Sequence, residues 1–270
     1  MQISVVIVSY NTKELTLNCI NSVLKNNSGL ETELVIIDNN STDGSVQALR
    51  KLKADRLKTI ENSENLGFAK AVNQGIKASS GEYILLLNSD CKLTTGILKK
   101  LFDFAQKTSD AGIVGVKLLN PEGGVQPSCY YFPGIVRAAK RYFGGANEVD
   151  KYYPKGSGAT EVEAVVFAAT LITKVALERV GLLNEGYFMY FEDLDYCKRI
   201  RKSGLKVYYL PSSEVVHYHG ASGRDIADSA NQWRRLLPSS KIYHGSLKHY
   251  LIIAIMWLGQ KWEKLLKKGK

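Results

Sequence analysis

Along the first ninety residues, short β-branched and aliphatic runs alternate with stretches of helical period. The runs cover residues 3–8, 34–37, 57–60 and 83–87. Between the first two, Leu17, Ile20, Val23 and Leu24 share one helical face, preceded by Asn11 and Glu14 at the spacing of a helix-start box. Val46 and Leu49 mark a second helix, and Phe68, Ala71, Val72 and Ile76 a third. Strands alternating with helices predict βαβ units and a mainly parallel sheet. Because the strands are apolar throughout, both faces of that sheet should be covered. Residues 120–160 break the alternation with seven glycines and seven aromatics, which predicts long loops over the sheet. Their rings suit either cover for the core or the apolar C–H faces of sugars. Helical period returns over 172–180 and 192–203, ended by Gly181 and Gly204, and strands are expected over 205–210 and 214–219. The fold class is α/β, with a C-terminal helical tail.

The polar residues at the strand ends change the picture. In open α/β sheets, ligands bind beyond the carboxyl ends of the strands. There the chain carries Ser9-Tyr10-Asn11, then Asp38-Asn39-Asn40-Ser41-Thr42-Asp43-Gly44, then Asn88-Ser89-Asp90. Turns and helix caps favour these residue types, yet the carboxylates of Asp38 and Asp90 also converge on one edge.

Five segments in order, VVIVSYN, DNNSTDGS, NLGFAKAVNQG, LLLNSD and LLNEGYFMYFEDLDYCKRIRKSG, resemble the family 2 glycosyltransferases, in particular their rhamnosyltransferase-like branch, from about residue 2 to residue 223. The resemblance implies the GT-A nucleotide-sugar-binding fold. It divides residues 1–223 into a donor half (1–119) and an acceptor half (120–223), followed by a tail (224–270). It implies that Asp38 reads a pyrimidine base through N3–H, with Ser9 and Asn11 lining the same cleft. Gly67 permits close backbone approach at a helix start, Lys70 lies near the diphosphate, and Asn88 and Asp90 stand in the place of the DxD metal motif. Asn88 departs from that motif, so the Mg²⁺ or Mn²⁺ that the resemblance implies would lean on the donor's phosphate oxygens. The resemblance also implies that Asp193 is the general base, that Glu192 supports it, and that a strand histidine, His219 or else His217, lies near the diphosphate or metal. Arg224 could reach the phosphates. With one base and no nucleophile, transfer should invert the anomeric centre.

The expected function is therefore an inverting glycosyltransferase that moves a sugar, rhamnose being a candidate, from a dTDP- or UDP-linked donor to a saccharide or lipid-linked acceptor in cell-surface polysaccharide synthesis. The alternative, motivated by Asn88, is a non-catalytic nucleotide-sugar-binding relative. A sugar nucleotidyltransferase would carry a glycine-rich loop where Ser9 to Lys13 stand, and a Rossmann dehydrogenase a GxGxxG there.

Composition adds limits. With 270 residues, 45% hydrophobic and 23% charged, the chain is an ordinary globular one rather than disordered or collagen-like. Net charge is +10, but residues 224–270 hold ten Lys/Arg against three acids, so the excess lies in the tail. Within it, residues 250–258 are apolar, and Trp257 and Trp262 flank the change to lysines. That predicts contact with an anionic membrane surface, the rival being a helix packed on the domain or on a second copy. No nucleic-acid motif accompanies the charge, and no nucleic acid is expected. Four scattered cysteines and an N-terminus without a basic leader predict a reducing, cytoplasmic setting, and the tail adds the expectation of a peripheral place on the inner face of the plasma membrane.

Overall fold

A computed structural model of the chain describes residues 1–26, 29–143, 151–218 and 233–268. The expected division at 223/224, and the candidate residues His219 and Arg224, fall outside the described residues.

The first half runs β1 (Ile3–Ser9), α1 (Lys13–Leu24), β2 (Thr32–Asp38), α2 (Ser45–Lys51), β3 (Leu57–Glu61), α3 (Phe68–Ala78) and β4 (Tyr83–Asn88). After it come β5 (Cys91–Leu93), α4 (Ile97–Lys107), β6 (Ala111–Leu119), β7 (Val125–Gln126), β8 (Cys129–Tyr130), α5 (Ile135–Phe143), β9 (Lys151–Tyr152), β10 (Thr160–Val162), β11 (Ala164–Val165) and β12 (Ala169–Ile172). The chain continues with α6 (Lys174–Val180), α7 (Glu192–Lys202), β13 (Lys206–His217), α8 (Trp233–His244) and α9 (Ser246–Lys268). The main sheet has the order β10-β13-β6-β12-β4-β1-β2-β3, and β11-β8-β9 form a small second sheet. The strands β4, β1, β2 and β3 are parallel, while β12 runs antiparallel between β4 and β6.

Alternation along each strand distributes its side chains to two faces. Val5, Ile7, Leu34, Ile36, Leu85 and Leu87 pack with Cys19, Ile20, Val23 and Leu101 from α1 and α4. Val6, Val35, Ile37, Ile84 and Leu86 pack with Val72, Ile76, Tyr196 and Ile200 from α3 and α7. Each such side chain removed from water contributes about 1.5–3 kcal/mol, and both faces of the sheet are covered, as its continuous apolar strands predict.

Register fixes the functional edge. Ser9 sits opposite Asp38, and Val8 opposite Asn88, so three strand tips end at one level. Because β12 is antiparallel, it begins at that same edge, where the Asn88 amide donates to Ala168 O at 2.8 Å.

Several expected elements differ. The helix expected over 172–180 starts at Lys174 as α6: Ile172 is the last residue of the wholly buried β12, and Thr173 caps α6 by accepting from the Ala176 amide. The two strands expected over 205–210 and 214–219 form one strand, β13, with an irregular register between Leu210 and Glu214. The region expected as loops contains β7, β8, α5 and β9. The box at Asn11 and Glu14 does not form. The α1 N-cap is Thr12, without a side-chain cap bond, and the Lys13 amide donates instead to Asp43 at 2.8 Å.

At the C-terminus, α8 packs on the loop before α7, and α9 packs on α5. A Cβ on Gly259 would lie 2.1 Å from Cγ of Tyr142, so only glycine admits that crossing. Among the described residues no helix is long and apolar enough to cross a membrane.

Candidate active site

The loop after β2 is stitched to the end of β1. The Asn11 side chain accepts from the Thr42 amide at 2.8 Å, and the Asn11 amide donates to Ser41 Oγ at 2.9 Å. Holding this arrangement puts Asn11 at φ +51°, a conformation that asparagine tolerates better than most residues. Asp38 is fully buried at the tip of β2. One carboxylate oxygen accepts from the Ser41 amide at 2.8 Å, while the other has no hydrogen-bond partner among the described residues. Such an oxygen is costly to bury and is ready for an N–H donor. Ser9 turns inward: its hydroxyl meets Thr16 at 2.8 Å, Thr16 meets Thr12, and Thr12 meets Ser89 at 3.0 Å. It thus acts on the edge through a buried hydroxyl chain that joins the tips of β1 and β4.

Gly67 stands at φ +82° before α3, and a Cβ there would lie 2.6 Å from the Phe188 carbonyl oxygen. The close approach it permits in the protein is thus to the loop ahead of α7. The Phe68 amide, first in α3, donates to that same oxygen at 2.7 Å and is occupied by protein. Asn39 and Asn65 fix the turn, with Asn39 accepting from the Leu66 amide and Asn65 from the Gly67 amide. Lys70 is exposed on α3.

At the tip of β4, Asn88 is half-buried and Asp90 fully buried. The Tyr218 amide donates to Asp90 O at 2.9 Å, and Nε2 of His217 lies 3.5 Å from the Asp90 carboxylate. Gln126 settles the imidazole's orientation. Its Nε2 donates to His217 O and to Asn120 Oδ1, both at 2.7 Å, so its Oε1 must accept from Nδ1 of His217, 2.9 Å away. A proton on Nδ1 turns Nε2 toward a carboxylate, an arrangement that a cation between them satisfies. Among the described residues, Asp90, Cys91 and His217 place ligand atoms within 4.8 Å of one another. Burial pushes the Cys91 thiol far above its ordinary value, with Asp90 adding to the effect, and Sγ donates to Ala168 O. The donor set that remains is a carboxylate oxygen and an imidazole nitrogen, which fits Mg²⁺ or Mn²⁺ completed by phosphate oxygens. Of the two expected histidines, His217 stands beside Asp90.

Glu192 and Asp193 open α7, each 8% exposed. Burial holds both above the ordinary carboxylate range, and the charge of Asp193 raises Glu192 further. The Leu194 amide, donating to Asp193 at 2.8 Å, and the charge of Lys151 pull Asp193 back down. One oxygen of Glu192 is buried with no hydrogen-bond partner among the described residues. Asp195 instead pairs with Arg199, one turn on, at 2.9 Å. The same edge receives α7 through Phe167, whose ring meets Tyr196 at 6.0 Å just before β12. Sequence reasoning missed Lys151 and Gln126. Neither lies in a recognisable motif, and only folding brings them to Asp193 and His217.

Residues 4–143 match the model of the family described as Glycosyl transferase family 2. A Mycobacterium tuberculosis (strain ATCC 25618 / H37Rv) protein described as N-acetylglucosaminyl-diphospho-decaprenol L-rhamnosyltransferase is 30% identical over 219 residues, covering 72% of this chain and 69% of the relative. The dTDP-rhamnosyl transferase RfbF of Shigella flexneri is 25% identical over 218 residues, covering 80% and 68%. Among solved structures, GalNAc-T7 with UDP, GalNAc and Mn2+ overlays with a TM-score of 0.64 at 17% identity, covering 88% of this chain and 47% of that one. The likeness in shape shows the GT-A fold that the order of elements implies.

Two outcomes follow from this geometry. Asp90→Ala and His217→Ala should each weaken Mn²⁺ binding in the presence of UDP or dTDP by about tenfold or more; calorimetry with and without EDTA measures it, and a loss of nucleotide affinity that persists undiminished in EDTA contradicts a metal role. Lys151→Met should raise the midpoint at which Asp193 ionises, because a positive charge that favours the carboxylate is removed; carboxyl NMR titration reads the direction, and an unmoved or lowered midpoint rejects the assignment.

Proposed function

The chain belongs to glycosyl transferase family 2, and we propose that it transfers a sugar from a nucleotide-diphosphate donor to a saccharide or lipid-linked acceptor, with inversion, in cell-surface glycan synthesis. The observation that carries this reading is the buried Glu192 and Asp193 pair at the start of α7, an acid pair raised by burial toward the range where a base works best near neutrality.

In the proposed reaction, Asp193 takes the proton of the acceptor hydroxyl as its oxygen attacks the anomeric carbon. The bond from that carbon to the β-phosphate oxygen breaks, and the nucleoside diphosphate leaves with the electron pair. A single displacement of this kind inverts the centre. Glu192 supports Asp193. On the donor side, the open oxygen of buried Asp38 accepts N3–H of uracil or thymine, a donor that cytosine lacks. Asn11 holds the loop that shapes this base site, and Ser9 ties the tips of β1 and β4 through its buried hydroxyl chain. Lys70, exposed on α3, borders the diphosphate. Asp90 and His217, with Asn88 beside them, would hold Mg²⁺ or Mn²⁺, which when bound supplies Lewis-acid stabilisation of the leaving diphosphate. The names of the relatives support dTDP-rhamnose as donor and a diphosphate-linked polyprenol as acceptor. A non-catalytic relative that only binds nucleotide sugars is the second reading, favoured by Asn88 in place of an acid.

A polyprenol-linked acceptor lives at a membrane, and the tail supports contact with an anionic one. Trp257 and Trp262 are about half exposed, Leu247 and Leu265 more so, and α5, packed on α9, adds exposed Val136 and Phe143 beside Arg137, Lys140 and Arg141. Each lysine or arginine near an anionic surface adds about 1 kcal/mol. All four cysteines are free and buried, which supports a cytoplasmic setting at the inner membrane face.

Asp193→Asn should lower transfer by about two orders of magnitude or more while leaving nucleotide affinity unchanged; assays over a donor panel check it, and transfer at the wild-type rate refutes the base, whereas a wild-type protein that binds donors and never transfers favours the second reading. Trp257→Ser combined with Trp262→Ser should release the protein from vesicles of phosphatidylcholine with phosphatidylglycerol, and salt should do the same; sedimentation that neither change alters rules the contact out.

A further inference from the structure

We propose that α8 is a positioning element for the carboxylate pair: Ser239 and Tyr243 grip the strained turn from which Glu192 and Asp193 are presented. The inference rests on Asp193 being the base and goes beyond it. The helix carrying these residues lies outside residues 4–143, the span that matches the family model.

The turn is unusual in its backbone. Tyr190 and Phe191 are consecutive, neither is glycine, and both have positive φ, +70° and +69°. Left-handed backbone at such residues persists only where the surroundings over-determine it. Phe191 is also the N-cap of α7 and makes no side-chain cap bond. The local sequence therefore does little to place Glu192 and Asp193, and the restraint must come from elsewhere.

It comes from two sides. On the side of the parallel sheet, Phe188 O accepts from the Phe68 amide, above Gly67. On the other side stands α8. The Ser239 hydroxyl, with Ser239 only 2% exposed, donates to Met189 O at 2.8 Å. The rings of Tyr243 and His244 lie 5.4 and 6.0 Å from that of Phe191. The Arg235 guanidinium covers the Phe188 ring at 4.3 Å, and Lys198 of α7 covers the Tyr243 ring at 4.6 Å. Contacts from α8 thus fall on residues 188, 189 and 191, immediately before and within the left-handed pair. Burial, with Lys198, His249 and Lys248 adding to it, holds the His244 imidazole down to about 4, so α8 brings a neutral ring to this position. A helix that merely trailed from the domain would have no reason to place a buried hydroxyl on a single carbonyl of the turn.

The test uses the full chain with Ser239→Ala, Tyr243→Leu and Tyr243→Phe. Hydrogen exchange of the amides over 186–195 reports the grip without reference to activity. It should quicken there in Ser239→Ala and Tyr243→Leu, with the sheet unchanged, and stay as in wild type in Tyr243→Phe, which keeps the ring. Transfer assays should show kcat lowered about ten- to a hundredfold in the first two, with donor KM and nucleotide affinity unchanged. Should Tyr243→Leu fail to fold, Ser239→Ala carries the test alone. Unchanged exchange over 186–195 overturns the grip. A raised KM with kcat intact overturns the positioning role and makes α8 part of substrate binding. Quickened exchange in a protein whose wild type transfers nothing sustains the grip and instead fails the reading of Asp193 as base.

Discussion

One main-chain bond joins the two chemistries of this fold. The Phe68 amide meets the Phe188 carbonyl at 2.7 Å, and only the missing side chain at Gly67 allows the approach. The amide belongs to the helix that follows β3, at the edge where Ser9, Asp38 and Asn88 end in register. The carbonyl belongs to the loop that delivers Glu192 and Asp193. A methyl group at Gly67 would separate these pieces by more than side-chain adjustment absorbs, since the atoms it meets are largely backbone. A helix start that would otherwise favour an anion has therefore spent its first amide on assembly.

The electrostatics follow from the depth of these groups. Asp38, Asp90, Glu192 and Asp193 are all buried, and buried carboxylates persist when hydrogen bonds or opposite charges compensate them. The compensation is uneven. Asp38 has one oxygen served by Ser41, Asp90 faces an imidazole oriented by Gln126, and Asp193 has the Leu194 amide and the charge of Lys151. The open oxygens of Asp38 and Glu192 mark where the protein leaves its own hydrogen bonding incomplete, and such places are where a ligand's donors have most to offer.

Much of this was legible in the sequence. The period-2 and period-3.6 patterns locate the first four strands and three helices, because those elements bury whole faces against one sheet. The polar tips were legible because turn chemistry and ligand chemistry use the same residues. What failed depended on tertiary partners. The helix read over 172–180 forms as α6 from Lys174, but residues 169–171 carried no assignment, and with Ile172 they are the antiparallel strand in the middle of the sheet. Asn11 read as a helix-start residue, but its side chain serves the Thr42 amide, and Asp43 from the next loop takes the helix start. Lys151 and Gln126 were invisible, since each acquires its meaning from a group more than forty residues away. The apolar and basic parts of the tail were legible and fall together on α9, whereas nothing in the sequence pointed to α8 meeting the turn ahead of α7.

The acid pair sets a limit on how the proposed chemistry can run. Two adjacent buried carboxylates do not ionise independently; they share their protons as a unit. Glu192 is pushed upward by burial and by Asp193, whereas Asp193 has an amide and a lysine in its favour. Burial opposes a second negative charge on the pair, while the Leu194 amide and the charge of Lys151 favour the charged form of Asp193. In the proposed reaction, the proton that Asp193 accepts removes negative charge from the pair near Lys151, while negative charge grows on the departing diphosphate. Charge is thereby moved from a buried carboxylate to a group that the sheet edge is built to receive. A second ionised carboxylate beside Asp193 would leave two like charges in a buried site, which is costly to maintain.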